Sequence, residues 1–436
     1  MKKTVLAMAL LTSLCVCAQE KWTLKDCVDY AMQNNLSMKM SQLRILSATE
    51  DRKQSKAELL PSLTASTNQS VGYEPWMDAG NGLSVTKSYY SGTYGLNVRW
   101  TVWNGNQNYN QLKYDKITEQ QTELDYAELG NTIQEQIAKL YVQILYTNEA
   151  LDVSKESLEA SKKNEERGRQ MLEVGSMSKA ELAQLTAQRA TDEYNVVETQ
   201  TNLTKYTVHL KQLLELDSNK PFDVMMPKAD DEQALAPIPD LMSVYEQALL
   251  ARPEVKNAEL ELKQADLLMK IARGNYMPTV TMTAGVGTNT SSRNTRGWGE
   301  QMKTNFDASA GVGVSIPIFD NRKAKTAVRN AYLAREQALL DQQDTKETLY
   351  DTIEDYWLDA QNNQQKFRAA QVGVESEQVS YNLLSEQFEL GLKNVIELIN
   401  GKVALLKAQQ SKLQSKYQTI LSIQLLKFYK GEQMTL

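Results

Sequence analysis

The sequence has few of the residues that usually carry catalysis or metal sites. It contains one histidine and three cysteines in 436 residues. His209 lies in a helical pattern without cysteine or carboxylate company, so neither a metal-binding nor a catalytic role is favoured. Residues 284–288 are rich in glycine, but no Gly-Lys-Ser/Thr follows them, which argues against a phosphate-binding loop. We therefore predict that the protein is not an enzyme and needs no cofactor or metal.

Cysteine is also scarce, although a secreted protein could use cysteines to form disulfide bonds. Residues 1–18 have the pattern of a secretory signal peptide, with Lys2 and Lys3 before a short apolar run and the small residue Ala18 before the expected cut. Cleavage there removes two cysteines and leaves Cys27 alone, so we predict no intramolecular disulfide. A lipoprotein signal is the less favoured alternative, because neither of the two removed cysteines follows a small residue.

Long hydrophobic runs are missing from the rest of the chain. After the signal peptide, no stretch supplies the roughly 20 apolar residues that a membrane-spanning helix needs. A secreted chain without such a helix is either soluble or crosses a membrane as a closed barrel. The chain carries 48 basic and 54 acidic residues and a formal net charge of −6, which argues against a nucleic-acid partner.

Three long stretches contain little proline or glycine, and each has a helical pattern. They are residues 22–59, 106–172 and 182–214. In the second of them, apolar residues recur at heptad spacing, which indicates helices that run side by side over a long distance. The heptad residues are Ile133, Ile137, Leu140, Ile144, Leu151 and Leu158.

Two other stretches, residues 93–103 and 306–319, alternate between apolar and polar residues. A period of two over about ten residues predicts a strand with one apolar and one polar face, long enough to cross a bilayer when tilted. A weaker alternation at residues 63–73 predicts a hairpin with the first stretch, across a loop at residues 73–89. Each stretch alone would also fit a half-buried strand of a soluble domain.

Landmarks in the first half recur in the second half at a constant distance, which indicates an internal duplication. Pro61 and Pro278 end helical stretches 217 positions apart (278 − 61). Gly175 and Gly391 interrupt helical stretches 216 positions apart (391 − 175). The predicted segments are a first repeat at 19–216, a linker at 217–240 and a second repeat at 241–436.

Each half supplies two strands, and a sheet of four strands leaves open edges that cannot lie in lipid. Copies of the chain must then close a barrel together. Two chains would supply eight strands, which their own side chains would fill, whereas the twelve strands of three chains leave a lumen. The small residues Gly311, Gly313 and Ser315 on the polar face suit such a lumen, so a trimer is favoured.

This arrangement resembles the TolC-like outer-membrane efflux family, the outer membrane factors, over essentially the whole mature chain. The resemblance rests on Pro61 and Pro278, on the segments 102–105 and 316–320 that follow the strands, and on two glycine turns. The turns, called tip turns below, are Val174-Gly175-Ser176 and Leu390-Gly391-Leu392.

The resemblance implies a mixed α and β fold. Long coiled-coil-like helices would form an α-barrel, and four strands per chain would contribute to a trimeric 12-stranded transmembrane β-barrel. It implies a place in the cell outer membrane, with the helical part in the periplasm. It also implies that the tip turns dock a periplasmic adaptor (a membrane fusion protein), which links the homotrimer to an inner-membrane pump of the RND, ABC or MFS type.

In the resembling family, a basic residue just after the tip and acidic residues one and two turns later constrict the resting channel. The matching positions here are Lys393, Glu397 and Asn400, and Asn400 departs from the acidic pattern. Lys393 and Glu397 lie four positions apart and would share a helix face. The alternative interpretation is an ordinary exposed ion pair on the helix surface.

Residues and resemblance together predict an outer-membrane exit channel of a tripartite efflux or type I secretion system. One alternative is a secreted coiled-coil structural or adhesive protein without channel activity, and another is a diffusion porin. The alternating strands disfavour the first alternative, because a soluble rod does not need strands of that length. The long helices disfavour the second, because a porin is built mostly of strands.

Overall fold

Helices make up most of the protein, and its strands form one sheet. A computed structural model describes residues 21–77, 82, 84–217 and 219–435, so the predicted signal peptide lies outside the described residues. The first half contains α1 (Leu24–Asn34), α2 (Leu36–Ala57), β1 (Ser62–Met77), β2 (Ser84–Asn104), α3 (Gln107–Glu173) and α4 (Lys179–Leu213). The second half contains α5 (Asp231–Ala234), α6 (Leu241–Ala251), α7 (Pro253–Gly274), β3 (Thr279–Ser291), α8 (Trp298–Thr304), β4 (Asp307–Ser315), α9 (Lys323–Glu389) and α10 (Val395–Tyr429).

The internal duplication is confirmed by the lengths of the helices. α1 and its counterpart α6 each have 11 residues, and α2 and α7 each have 22. The long helices α3 and α9 each have 67 residues, and the helices that follow them, α4 and α10, each have 35. The two halves therefore repeat the same succession of helices.

The prediction of one continuous helix at residues 22–59 is wrong, because the chain breaks at Asn35. The backbone of Asn35 leaves the helical region (φ −58°, ψ 133°), and its Oδ1 accepts a hydrogen bond from the Ser37 N–H at 2.9 Å. Asparagine favours such a cap because its side chain satisfies an N–H group that has no partner within the helix. Arg252, which precedes Pro253, breaks the second half at the equivalent place with nearly the same angles (φ −70°, ψ 133°).

The chain folds into two compact units, and both halves of the sequence contribute to each. The helical unit holds the described residues of Met1–Gln42, Asp125–Val255 and Thr345–Leu436. The sheet unit holds Leu43–Leu124 and Lys256–Asp344, including all four strands.

The largest core of the helical unit buries the middle of α3 against α1 and α4. Ile137 and Ile144 of α3 and Leu210 of α4 are fully buried there, which fits the predicted heptad pattern. The segment after α4 packs on the same core, because the Tyr141 hydroxyl donates a hydrogen bond to the Met225 carbonyl at 2.6 Å.

The sheet is an antiparallel meander in the order β1-β2-β3-β4. Residues directly opposite each other share a face, and the register of all three strand pairs keeps one face apolar and the other polar. Members of the apolar face are Leu63, Ala65, Leu96, Val98, Trp100, Met282, Ala284, Val286, Ala308, Ala310 and Val312. Members of the polar face are Thr64, Ser66, Asn97, Arg99, Gly285, Ser309 and Gly311.

The predicted strands have the right faces, but their ends are wrong. β2 begins at Ser84, so most of the loop expected at residues 73–89 is strand paired with β1. Ser84, Thr86 and Ser88 continue the apolar row of β2 with hydroxyl side chains, and alternation cannot reveal a strand whose apolar row is interrupted in this way. β4 ends at Ser315 rather than at residue 319, since Pro317 has no N–H group for the ladder.

Candidate functional site

The tip turns follow α3 and α9 in the helical unit, and both have the geometry of a Schellman helix end. Gly175 has a φ of 77°, its N–H donates to the Leu172 carbonyl at 3.0 Å, and the Ser176 N–H donates to the Met171 carbonyl at 2.8 Å. Two carbonyls that have no partner in the helix are thereby satisfied, and glycine adopts the left-handed conformation without a Cβ penalty.

The second tip turn repeats this pattern. Gly391 has a φ of 69°, its N–H donates to the Phe388 carbonyl at 3.0 Å, and the Leu392 N–H donates to the Gln387 carbonyl at 2.8 Å. Apolar side chains next to the glycines are strongly exposed: Val174 by 79%, Leu390 by 74% and Leu392 by 71%. Both turns thus hold apolar side chains in a fixed, outward-facing position.

A side-chain cap starts the helix after each tip turn, and sequence reasoning missed both caps. In α4, Ser178 and Glu181 form a capping box, and the hydrogen bonds from the Ser178 backbone N–H and hydroxyl lower the pKa of Glu181. In α10, the Glu397 N–H donates to Asn394 Oδ1 at 2.9 Å, and Asn394 Nδ2 donates to Glu397 Oε1 at 3.0 Å. The sequence does contain the signal for both caps, because Glu181 follows Ser178 by three positions and Glu397 follows Asn394 by three positions.

Of the three residues matched to the constriction, the structure brings two together. Lys393 Nζ lies 2.5 Å from Glu397 Oε2, and their side chains are 40% and 38% exposed. Asn400 is exposed on the next turn of α10. Glu397 therefore has two structural contacts, the ion pair with Lys393 and the cap with Asn394, and it keeps partial access to solvent.

The two tip turns belong to one patch, because α3, α4, α9 and α10 share a small core beneath them. Arg167 of α3 also forms an ion pair with Glu389 of α9. The buried members of this core are Met177, Leu185, Phe388, Val395 and Leu398.

A cavity of about 640 Å³ lies beside this core, between α3 and α9. Its lining is mostly charged or polar, with both signs present. Lys163 and Glu166 belong to α3, whereas Tyr381 and Ser385 belong to α9. Such a lining suits a polar contact with another protein better than an apolar small molecule.

Further along these helices, a charged pair is buried away from water. Lys402 of α10 is in ion-pair and hydrogen-bond contact with Asp192 of α4 and Ser161 of α3, and the two charged side chains are only 5% and 2% exposed. Burial lowers the pKa of Lys402, and the contact with Asp192 opposes this effect. The partners are 210 positions apart, so no local sequence pattern announces them.

A second buried carboxylate, Glu165, holds α3 to α4. Arg189 Nε lies 2.7 Å from Glu165 Oε2, and the Thr186 hydroxyl donates to Glu165 Oε1 at 3.0 Å. Burial would raise the pKa of Glu165, but the bonds from Thr186, Arg169 and Arg189 outweigh it, and the pKa is lowered. These contacts fix the relative position of the helices that carry the first tip turn.

Within residues 21–77, 82, 84–217 and 219–435, no group of three histidine, cysteine or acidic side chains could hold a metal ion. No helix in the described part of the chain is long and apolar enough to cross a membrane. His209 is exposed on α4. The features that stand out are therefore surfaces: the tip turns, the constriction residues and the two-faced sheet.

Comparison with known proteins assigns the fold to a family. The profile of the family described as "Outer membrane efflux protein" matches residues 27–215 and again residues 244–432. The chain belongs to this family. The two matches are offset by 217 positions (244 − 27), the same offset as the repeated prolines.

Several relatives of this outer membrane efflux protein match it over nearly its whole length. Outer membrane efflux protein BepC of Brucella suis is 22% identical over 416 residues, which cover 92% of this chain and 83% of the relative. Cation efflux system protein CusC of Escherichia coli K12 is 20% identical over 402 residues, which cover 90% and 83%.

Solved structures share the fold. A crystal structure of CusC superposes with a TM-score of 0.81 at 16% identity, covering 94% of this chain and 92% of that one. The Campylobacter jejuni CmeC outer membrane channel superposes with a TM-score of 0.78 at 19% identity, covering 95% and 87%. The predicted fold class and the outer-membrane location are confirmed, and the protein is an efflux channel component rather than an enzyme. The alternative of a secreted rod without channel activity is not favoured.

We expect Asp192→Ala to destabilise the helical unit by about 3–5 kcal/mol, because it leaves the Lys402 ammonium buried without its carboxylate. The double variant Asp192→Leu/Lys402→Met removes both charges and should recover most of the loss, since apolar residues often replace a buried ion pair at little cost. The measurement is the temperature at which the purified protein in detergent loses its helical circular dichroism.

The matched control for this prediction is Lys162→Ala, which breaks an exposed ion pair with Glu159 (side chains 50% and 63% exposed). We expect a change below about 0.5 kcal/mol there. Parent-like stability of Asp192→Ala, or a double variant no better than the single one, would contradict the structural role of the pair.

Proposed function

We propose that three copies of the chain form a passive exit duct that crosses the outer membrane and continues into the periplasm, as part of a tripartite efflux or type I secretion system. The observation that carries this proposal is the sheet, which has one apolar face, one polar face and two unclosed edges. An apolar face toward lipid and a polar face toward water is the arrangement that a pore wall requires.

The edges of the sheet support an assembly of several copies. In the described part of the chain, β1 and β4 each pair on one side only. Backbone N–H and C=O groups without partners cost several kcal/mol each in hydrocarbon, so other copies must supply the missing strands. Three copies supply twelve strands, and small side chains such as Gly311 and Ser309 on the polar face leave room for a lumen.

The exposure of the apolar face supports its contact with lipid. Leu63 is 70% exposed, Val312 62% and Val314 60%. A continuous apolar surface of this kind on a soluble protein would promote aggregation, whereas in a membrane it is covered by acyl chains. A secreted soluble rod would leave this apolar surface in water, so its exposure favours the duct over the rod.

The tip turns support docking of a periplasmic adaptor. Their exposed apolar side chains, Val174, Leu390 and Leu392, are held by the Schellman geometry and lie together at one patch. A rigid apolar patch with a charged rim is typical of a protein interface. The adaptor would connect the duct to an inner-membrane pump of the RND, ABC or MFS type.

The names of relatives support a duct that does not itself select cargo. One Pseudomonas putida relative is named as part of a toluene efflux pump, another as part of an antibiotic efflux pump, and the E. coli relative as part of a cation efflux system. Proteins of similar sequence and one fold thus carry names for very different cargoes. We therefore propose that the pump selects the cargo of this duct.

We expect Gly391→Val to weaken adaptor docking and export while the sheet stays inserted in the membrane. Valine cannot adopt a φ of 69° without strain, so the Leu390 and Leu392 side chains would lose their fixed position. The measurements are efflux by the native host and recovery of adaptor subunits crosslinked to the protein, identified by mass spectrometry.

Gly373→Val is the matched control, because Gly373 lies within α9 with open space around the position of a Cβ. This variant should export and crosslink like the parent. If Gly391→Val also behaved like the parent in both measurements, the tip turn would have no part in docking.

We further propose that Lys393 and Glu397 constrict the periplasmic end. Three copies of Glu397 would place a ring of carboxylates near the entrance, and a carboxylate ring favours cations. The ion pair with Lys393 and the partial exposure of both side chains support a role at a water-filled surface. Asn400 on the next turn would add a polar but uncharged ring.

We expect Glu397→Gln to reduce cation selectivity of the purified channel in planar bilayers, because it removes the charge and glutamine can still act in the helix cap. Lys393→Ala should raise the open conductance if the ion pair holds the end shut. Glu181→Gln, at the equivalent cap of α4, is the control and should match the parent. Parent-like selectivity and conductance in both test variants would locate the constriction elsewhere.

A further inference from the structure

The connection between β3 and β4 contains the seven-residue helix α8, which packs on the apolar face of the sheet. The rings of Trp298 and Tyr94 meet edge to face at 6.2 Å, and the Trp298 indole N–H donates to the Tyr94 hydroxyl at 3.4 Å. The Thr288 hydroxyl donates to the Met302 carbonyl at 2.9 Å. Tyr94 and Thr288 are direct partners in the β2–β3 register, so both contacts lie on one face.

That face is the apolar one, because Tyr94 continues the row formed by Leu96, Val98 and Trp100 on β2. Tyr94 lies on the side of the sheet away from the point where β2 leads into α3, and β1 and β2 continue beyond it with Val71 and Tyr90 on the same face. α8 therefore covers the apolar face beside the end of β3. Thr290, which lies beyond Thr288 in the same row, is only 2% exposed.

The residues that lead into α8 stay on the opposite face. Arg293 forms an ion pair with Glu74, and its guanidinium lies 3.7 Å from the centroid of the Tyr89 ring. Tyr89 pairs with Gly72 and alternates with Tyr90, which puts it on the same face as Asn97 and Arg99. The connection thus crosses from the polar face to the apolar face, and α8 does not lie over the polar side.

The exposed surface of α8 has the composition of a bilayer interface. Trp298 is 57% exposed, and Phe306, which follows the helix, is 61% exposed. Arg296 and Lys303 lie at the two ends of the helix and are exposed. Tryptophan and tyrosine concentrate where acyl chains meet headgroups, and basic side chains there reach lipid phosphates.

The height of this group on the sheet agrees with such a position. Nine positions separate Tyr94 from Trp103 (103 − 94), which at about 3.3 Å per residue is roughly 30 Å along the strand. Trp103 lies at the end of the apolar face near α3, where it pairs with Val280, and it is 37% exposed. For strands tilted by about 40°, these aromatic residues bound an apolar band roughly 23 Å high, close to the ~25 Å that outer-membrane proteins present to lipid.

We propose that α8 is an interfacial anchor, which inserts Trp298 and Phe306 among the lipid headgroups of the outer leaflet. α8 is then a contact with the membrane and not a lid over the lumen. The anchor would fix the depth of the sheet in the bilayer. This inference rests on the membrane-inserted sheet of the proposed function.

The test uses a fluorophore attached to single cysteines in the full-length protein, reconstituted in phosphatidylglycerol-containing vesicles. Gly299→Cys places the probe on α8 beside Trp298, at a position with open space around the Cβ. Val312→Cys reports the apolar face within this band, because Val312 pairs with Met282 and Met282 pairs with Trp100, and Ser66→Cys reports the polar face. Cys27 is fully buried, which raises its pKa to about 12, so it should not be labelled, and the labelled parent sets the background.

Three quenchers distinguish the surroundings of the probes. One is a lipid with the quencher attached to its headgroup, the second is a lipid with the quencher attached to its acyl chain, and the third is iodide in water. We expect the headgroup quencher to cause the largest loss of emission at position 299. The acyl-chain quencher should act most at position 312, and iodide should act most at position 66.

If iodide alone reduced the emission at position 299, as at position 66, α8 would not be an interfacial anchor. Quenching at position 312 by the acyl-chain quencher would in that case still support an inserted sheet. If lipid quenchers left position 312 unaffected, the sheet would not be in the membrane. The proposed function would then fail, and the anchor with it.

Discussion

The unpaired edges of the sheet are the constraint on which the rest of the structure depends. Hydrocarbon offers no hydrogen-bond partner to backbone groups, so a sheet that enters a membrane must close. Here the described chain supplies four strands, with β1 and β4 at the edges. The duplication provides two strands from each half, and in the proposed trimer other copies of the chain provide the remaining strands. The apolar face and the small residues on the polar face both suit such a closed wall.

The two halves of the duplicated chain differ in how their side chains pack. Helix lengths and Schellman ends repeat, but the packing beneath the tip turns does not. A Leu185 methyl group packs where a Cβ of Gly168 would lie, whereas in the second half Leu384 packs against Gly401. These are equivalent positions with the large and small partners exchanged (168 + 216 = 384, 185 + 216 = 401). Buried charges diverge as well, since Lys402 corresponds to Thr186 (402 − 216). The two halves thus share the same backbone geometry but are packed by different side chains.

Much of this fold could be predicted from the sequence, because its main signals are local and repeated. Prolines, glycine turns, heptads and alternation located the helices, the strand faces and the duplication. The break at Asn35 was missed because a polar cap inside a long helical pattern leaves the apolar spacing intact. The early start of β2 at Ser84 was missed because its pairing with β1, and not its own pattern, sets its length. The Lys402–Asp192 pair joins distant helices, and only the folded chain brings it together.

We propose that three chains close the wall that one chain leaves open. The most direct measurement is the mass of the purified full-length protein in mild detergent, by native mass spectrometry with light scattering as a check. We expect a trimer that persists on dilution, since separation would expose the edges of β1 and β4. A stable monomer or dimer would contradict it, because four strands cannot close a membrane-spanning wall and eight leave no lumen.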